Sequence, residues 1–471
     1  MGEILVLGGG VVGLSTSMLL AGDGHTVTLL DRDAAPPPPD PREAWRTWER
    51  RGVNQFRLLH FFQPRFRQLL EAELPAAAEA IRAAGALHFD PVATAPRELT
   101  GGPREGDEEL IALTGRRPVV EAALAGAADG RPGLTIRRGA GVTGLLTAGD
   151  DGAGVPHIAG VRTDEGDELL ADLVVDATGR RSQLPGWLAT VGAAPPIEER
   201  EDSGFVYYGR HFRSTDGSVP VPRGGLLSHY GSVSILCLPA DNGTWGVGII
   251  TTTGDAELRG FRHADRWTSA LERFPLVAHW LDGEAIDEVA VMAKIEDRYR
   301  RYVVDGAPVA TGVVAVGDAW ACTNPSIGRG ASIGLMHAVA LRDVLREVPT
   351  ERAADLASAW DDATASTVEP WYRSTLHYDR HRLAEAEAAT RGEPYEPDDP
   401  AWDMTRAMQH GADRDPDLLR GFLRIGGLLA TADEVLAGPG IVDKIIAVGA
   451  GWRDEPLPGP DRAELVGLAA G

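Results

Sequence analysis

The chain has 471 residues with 46 Lys and Arg against 69 Asp and Glu, a formal net charge of −23. That balance argues against nucleic acid or an anionic membrane surface as the main partner. Its 43% hydrophobic and 24% charged residues fit a soluble globular protein, and its length predicts two or three packed units rather than one core.

Met1 to Asp33 organises the rest. Ile4-Leu5-Val6-Leu7 is a short apolar run, predicted as a buried parallel strand. Gly8-Gly9-Gly10-Val11-Val12-Gly13 comes next, then a predicted helix over Leu14–Leu20 and a second strand over Thr26–Leu30 closed by Asp31. This is G-x-G-x-x-G in its proper context, with a strand before, a helix after and an acid about 20 residues on. Gly8 suits a tight turn, Gly10 lets a diphosphate approach the backbone, and Gly13 allows helix and strand to pack closely. The helix N-terminus offers unpaired N–H groups to the diphosphate, and Asp31 can accept hydrogen bonds from an adenosine ribose.

Pro36 to Pro41 predicts an exposed extended connection. Arg51, Arg57 and His60 come after it, either as solvated loop residues or as contacts to cofactor oxygens. Phe66–Ala83 has helical spacing with a break or kink at Pro75, and Pro118 suits a first helical turn with Arg117 just ahead of it. Leu134–Arg138 and Gly141–Leu146 read as strand, and His157–Thr163 with Glu168–Leu170 as a hairpin. The apolar run Leu173–Val175 ends in Asp176-Ala177-Thr178-Gly179, a second strand with a glycine turn. From Gly204 to about residue 300 the pattern becomes antiparallel, with a hairpin turn at Ala240–Thr244 and a strand over Val289–Glu296. The run Gly312–Val316 ends in Gly317-Asp318-Ala319, succeeded by a Pro/Gly loop over Pro325–Gly330 and a helix over Ala331–Arg346. Helical periodicity dominates from Ala353, and the proline-rich stretch Glu455–Asp461 is expected to be loose.

The expected fold is α/β: a Rossmann-like FAD-binding domain over 1–200 and 306–350, an inserted mainly antiparallel substrate domain over 201–305, and a C-terminal helical region over 351–471. Three glycine-bearing strand ends, near 8–13, 176–179 and 317–330, need one ligand long enough to touch all of them, and extended FAD meets that need. Asp318 would grip the ribityl diol, and the helix starting near Gly330 would point its positive end at the flavin.

These stretches resemble the FAD-dependent class A monooxygenase superfamily, which includes para-hydroxybenzoate hydroxylase. Gly8–Gly13 with Asp31, the Asp176-Ala177-Thr178-Gly179-Arg180-x-Ser182 stretch, and Gly317-Asp318-Ala319 followed by Pro325-x-x-Gly328-x-Gly330 carry the likeness. Arg51-Gly52-Val53-x-Gln55-x-Arg57-x-x-His60 is similar to the branch holding actinobacterial polyether epoxidases. The resemblance implies that Gly8, Gly10, Val12, Gly13, Asp31 and Arg32 hold the ADP half, and that Arg51 and Arg117 contact phosphate or ribityl. Val142, Asp176, Gly179 and Asp318 would complete the cofactor site, with Pro325, Gly328 and Gly330 against the flavin ring. Two departures stand out: Trp320 and Cys322 occupy a region where many relatives carry histidine, and Arg329 sits between the loop glycines.

The implied activity is insertion of one oxygen atom, by hydroxylation or epoxidation, into a small-molecule natural product through a flavin C4a-hydroperoxide. NAD(P)H would be the reductant, directly or through a partner flavin reductase. Catalytic residues are not identified; Tyr207, Tyr208, Arg210, Trp245 and Pro325 are candidates for the space between the flavin loop and the inserted sheet. A halogenase is disfavoured, because the only lysines are Lys294 and Lys444 and none lies in the N-terminal half. A flavin-dependent reductase of an isoprenoid or polyketide, and a non-catalytic flavin-binding partner, are the alternatives. No metal is expected: the two cysteines, Cys237 and Cys322, build neither a disulfide framework nor a cysteine-based zinc site. No apolar run is long enough for a membrane span, and no charged leader precedes the first strand, so the cytoplasm is the expected compartment.

Overall fold

A computed structural model describes residues 1–53, 55–150 and 154–471. Ile4–Leu7 forms the centre of a five-stranded parallel sheet in the order Val313–Ala315, Leu173–Asp176, Glu3–Leu7, Thr26–Asp31, Leu134–Arg138. Both faces of this sheet are covered, which is why its strands read as continuous apolar runs without alternation. Register places the strand ends. Leu7 pairs with Asp176, and Asp176 pairs with Ala315, so three strands end level with one another and release their loops at one edge.

The first helix spans Val11–Gly22, longer at both ends than expected, and nearly all of it is buried. Two of its buried hydroxyls bond inside the helix, Thr16 to the Val12 carbonyl and Ser17 to that of Gly13, each at 2.8 Å. Pro75 divides its region as anticipated, into helices Pro64–Glu73 and Pro75–Ala83. Pro118 occupies the first turn of the helix Arg117–Ala128.

The chain crosses into the inserted region through the strand Ile197–Asp202, which pairs antiparallel along its whole length with Glu296–Arg301. The expected strand Val289–Glu296 is two. Ala290–Met292 joins the inserted sheet, while Glu296–Arg301 joins a separate three-stranded one. Lys294 lies between them with φ +56°, and that left-handed residue turns the chain from one sheet to the other. The inserted sheet runs Leu227–Tyr230, Val233–Pro239, Thr244–Thr252, Phe205–Arg213, with two short strands on its last edge. Its outer core holds Trp245, Trp267, Trp280, Phe261 and Phe274.

The chain then returns through Val313–Ala315 to the helix Gly330–Glu347 and the long helix Glu369–Thr390. Helices Pro400–Ala412 and Pro416–Gly426 pack around Met408, Leu418 and Ile445. The segment Glu455–Asp461 is largely exposed, but the helix after it, Arg462–Ala470, docks on the outer core of the inserted sheet through Leu465 and Ala469. Arg462 Nη2 anchors it on Asp255 Oδ1 at 2.8 Å, and Arg266 Nη1 donates to the Ala469 carbonyl at 2.9 Å. Among the described residues no helix is long and apolar enough to cross a membrane.

Candidate active site

The three level strand ends open into one cavity of about 1960 Å³, bounded by the inserted sheet, the long helix and the C-terminal helices. A pocket for one drug-sized ligand is roughly 300–1,000 Å³. This one has room for an extended dinucleotide and a second large molecule.

At the first strand end, Gly8 holds φ +99°, and a Cβ there would press on the Ala177 carbonyl oxygen at 2.7 Å. A Cβ on Gly13 would overlap the Gly8 carbonyl oxygen, so Gly13 serves packing and does not face the cavity. Gly10 is different. The nearest atom to a Cβ there is Arg117 Nη2 at 3.9 Å, which leaves open space in front of the backbone. No side chain caps the helix that begins at Val11, so its first-turn amides remain available beside this space, which Val11 and Val12 line. Arg117 donates through Nε to Glu121 at 2.9 Å and keeps the far end of its guanidinium by Gly10.

Asp31 lines the cavity and is gripped from one side. Arg50 donates to Asp31 Oδ2 at 2.6 Å, Asp33 Oδ2 at 2.9 Å, Glu121 Oε1 at 2.5 Å and the Gly9 carbonyl at 2.9 Å. Burial raises the Asp31 carboxyl above its ordinary value, with Arg50 opposing. Arg51, expected against phosphate or ribityl oxygens, is corrected to a residue that does not line the cavity. Arg51 is exposed on the adjoining turn, outside the cavity, because the four acceptors converge on the preceding residue, Arg50. Arg32 and Val142 both line the cavity. His60 is another cavity residue: Nδ1 donates to the Leu58 carbonyl at 2.9 Å, and burial, then the Arg117 charge, lowers its pKa to about 3, so the ring is neutral.

At the second strand end, Gly179 reaches the cavity but Asp176 does not. The Asp176 carboxylate is fully buried and accepts from Thr178 N at 2.9 Å, Thr178 Oγ1 at 2.6 Å and Ser182 Oγ at 2.5 Å. It shapes the turn from inside, so its expected place against the ligand is corrected to a structural one. At the third strand end Asp318 lines the cavity, its Cβ 4.0 Å from where a Cβ on Gly179 would stand. Its Oδ1 is likewise 4.0 Å from a Cβ position on Gly330. The Asp318 carboxylate has no hydrogen-bond partner among the described residues. An unpaired carboxylate between two glycine turns suits a diol donor.

Pro325, Gly328 and Gly330 line the cavity, and the loop they belong to is braced from behind. Tyr207 donates to Asn324 Oδ1 at 2.6 Å, Asn324 N donates to Asp297 Oδ1 at 2.6 Å, and Ser326 Oγ donates to Asp379 Oδ1 at 2.6 Å. Burial pushes Asp379 up to about 8 and Asp297 up to about 6. Arg329 ties the loop to the long helix through Ser374 and Thr375, both at 3.2 Å, and to the Ile425 carbonyl at 2.8 Å. Trp320 lines the cavity and packs against His337 and Tyr299, while burial holds the Cys322 thiol up at about 11.

The remaining candidates lie elsewhere. Side chains alternate along Phe205–Arg213, so Tyr207 points toward the Pro325–Gly330 loop, where it braces without lining the cavity. Tyr208 falls on the opposite face, against Phe261. Arg210, on the Tyr208 face, donates to the Asp287 carbonyl at 2.8 Å and lies over Phe212. Trp245 is sealed in the outer core and donates to the Trp280 carbonyl at 2.7 Å. Tyr208, Arg210 and Trp245 are therefore corrected from cavity residues to scaffold. Arg50, Asp379, His229 and Tyr378 were not anticipated, and only strand parity, which separates Tyr207 from Tyr208, was readable beforehand.

No family model matches the chain. The curated "Protein Rv3254" of Mycobacterium tuberculosis is 29% identical over 464 residues, covering 94% of this chain and 93% of that one. Among solved structures, PqsL of Pseudomonas aeruginosa, described as a probable FAD-dependent monooxygenase, aligns with a TM-score of 0.60 at 16% identity, over 83% of this chain and 98% of that one. The anhydrotetracycline hydroxylase OxyS of Streptomyces rimosus gives 0.58 at 19% identity, over 91% and 76%. The flavin-dependent brominase Bmp2 gives 0.58 at 14% identity, over 95% and 98%. The shared fold is established by these likenesses.

Proposed function

We propose that the protein is an FAD-dependent monooxygenase that inserts one oxygen atom, by hydroxylation or epoxidation, into a natural-product-like small molecule. One observation carries the reading: three level strand ends present open space at Gly10, uncapped helix amides and an unpaired Asp318 carboxylate to a single cavity. Residues 1–200 and 306–350 would form the FAD-binding unit. Gly10, the amides of Val11 and Val12, and Arg117 would hold the diphosphate, Asp31 the ribose and Asp318 the ribityl diol. The helix Gly330–Glu347 would direct its N-terminus at the ring, and the loop Pro325–Gly330 would lie beside it. FAD, once reduced by NAD(P)H here or through a partner reductase, supplies the oxygen-activating chemistry. The chain's own part is to position the substrate beyond the loop and to exclude water. Neutral His60 and the buried thiol of Cys322 leave that region without a charged nucleophile of their own.

The likeness to a brominase keeps halogenation as a measurable outcome. The lysine that lines the cavity here, Lys294, comes from the inserted region and not from the first half. The test is to load purified protein with FAD, then monitor NAD(P)H loss, O2 uptake and product mass with fused-ring phenols and polyenes, with and without bromide. Substrate-stimulated O2 uptake with a gain of one oxygen supports the proposal. A brominated product, product formation without O2, or failure to take up FAD would each overturn it.

A further inference from the structure

Beyond the Pro325–Gly330 loop, the strand Leu227–Tyr230 and the long helix Glu369–Thr390 bring His229 and Tyr378 together on the cavity wall. Tyr378 Oη lies 2.6 Å from His229 Nε2. The other ring nitrogen, Nδ1, lies 2.8 Å from Ser234 Oγ and 3.1 Å from Arg382 Nε, and the one Nε hydrogen of Arg382 is shared with Ser234 Oγ at 3.3 Å. Arg382 is itself buried, 3% exposed, with its remaining donors committed to Glu385 Oε2 at 2.9 Å and the Gly231 carbonyl at 2.6 Å.

This geometry bears on the proton positions. A guanidinium N–H can only donate. The Arg382 hydrogen is directed at His229 Nδ1 as well as at Ser234 Oγ, which favours Nδ1 as an acceptor; a hydrogen on Nδ1 would instead point at Ser234 Oγ, with Tyr378 donating to Nε2. The doubly protonated ring is ruled out: burial, and then the charges of Arg382 and Arg406, hold its pKa well below the ordinary value. With Nδ1 accepting, the hydrogen of neutral His229 sits on Nε2 and is donated to Tyr378 Oη. Burial also raises the Tyr378 phenol to about 12, so it keeps its own hydrogen. With its oxygen already accepting, that hydrogen has no acceptor among the described residues, and its outlet is the cavity. A buried arginine thus favours the Nε2–H tautomer, and in that tautomer the tyrosine donates into the cavity.

We infer that Tyr378 is the hydrogen-bond donor for an acceptor oxygen, ketone or quinone, on a large multi-ring apolar substrate. The inference rests on the proposed oxygenase reading and narrows its substrate. Size supports it, since the cavity of about 1960 Å³ exceeds what one dinucleotide-binding crevice requires. The surroundings support it too: Leu227, Leu236, Met292 and Trp402 line the wall near the pair and favour flat apolar rings.

The test compares a shape-matched pair of probes, benzo[a]fluorenone and benzo[a]fluorene, by their quenching of protein fluorescence in the FAD-loaded protein. Wild type should bind the ketone about tenfold more tightly, the worth of one net hydrogen bond in a closed site. In Tyr378→Phe the preference should fall to about one while the hydrocarbon's affinity stays unchanged, a pattern that general loosening of the wall would not produce. No ketone preference in wild type, or an undiminished one in Tyr378→Phe, overturns the inference. FAD content measured on the same samples separates that failure from failure of the oxygenase reading. Independently, 15N-labelled histidine spectra should show His229 as the neutral Nε2–H tautomer from pH 5 to 8, and an Nδ1–H tautomer would equally overturn it.

Discussion

Replacing Arg50 with Met tests the electrostatic centre of the proposed nucleotide end. The Arg50 side chain is 4% exposed, and its partners Glu121, Asp31 and Asp33 are 0%, 11% and 12% exposed. Methionine fills similar volume but leaves three carboxylates facing one another with little water. Removing one partner of a buried ion pair costs about 3–5 kcal/mol. Part of that cost can be relieved by protonation. Asp31 already has a raised carboxyl pKa from burial, held in check by Arg50, and the variant removes the check. A carboxyl raised on folding adds stability below its unfolded pKa and loses it as pH climbs through the folded value. The deficit of Arg50→Met should therefore be largest at pH 8 and narrow toward pH 5. Guanidinium denaturation at both values reads the stability, and FAD titration should show at least a tenfold loss of affinity because Asp31 and the Gly9 carbonyl lose their shared anchor. Arg51→Met, on the exposed turn, should stay within about 0.5 kcal/mol of wild type. Equal unfolding midpoints for Arg50→Met and wild type at pH 8, or damage from Arg51→Met instead, would refute the assignment.

The site makes two further outcomes measurable. Gly13→Ala places a Cβ on the Gly8 carbonyl, backbone against backbone, so thermal melting of the cofactor-free protein should drop clearly, whereas Gly10→Ala should melt like wild type yet bind FAD more weakly. Equal melting of the two variants would contradict this. Asp379, buried and raised to about 8, holds a proton in the folded state that the unfolded chain releases near 4, so wild-type stability should fall between those values by up to about 1.4 kcal/mol per pH unit. Asp379→Asn should flatten that slope in denaturant midpoints measured from pH 5 to 9, and an unchanged slope would show that Asp379 is not its source.

Much of the geometry at the three strand ends was legible because it is local. Gly8, Gly10, Asp31 and Asp318 lie in short contiguous motifs whose neighbours in sequence are also their neighbours in space. The level endings of the three strands followed from apolar runs that each stop at a glycine turn. Arg50 and Arg51 could not be told apart, since the choice depends on Glu121, which reaches the site from another helix. Tyr208 and Arg210 were misplaced although alternation along Phe205–Arg213 held the signal, because which face of that sheet met the cavity depended on the Pro325–Gly330 loop, and Trp245 pairs with Phe212 across the adjoining strand. The oxygen-facing wall was invisible for a stronger reason. His229 and Tyr378 are separated by 149 residues, and neither stands in a recognisable pattern.

The long helix Glu369–Thr390 explains why those remote pieces act together. Asp379 holds the Pro325–Gly330 loop through Ser326, and Arg382 holds the inserted sheet through Gly231 and His229. Arg373 and Arg380 reach Glu199 and Glu201 on the crossing strand. Successive helical residues point about 100° apart, so Tyr378 faces the cavity while Asp379, from the adjacent position, braces the Pro325–Gly330 loop from behind. A shift of this helix therefore cannot move the loop without moving the donor, and the spacing between them is set by the covalent step from one residue to the next. For a reaction that must bring a substrate carbon within reach of a ring beside that loop, such coupling fixes the distance that counts, while the surrounding chamber stays wide enough to admit a large molecule.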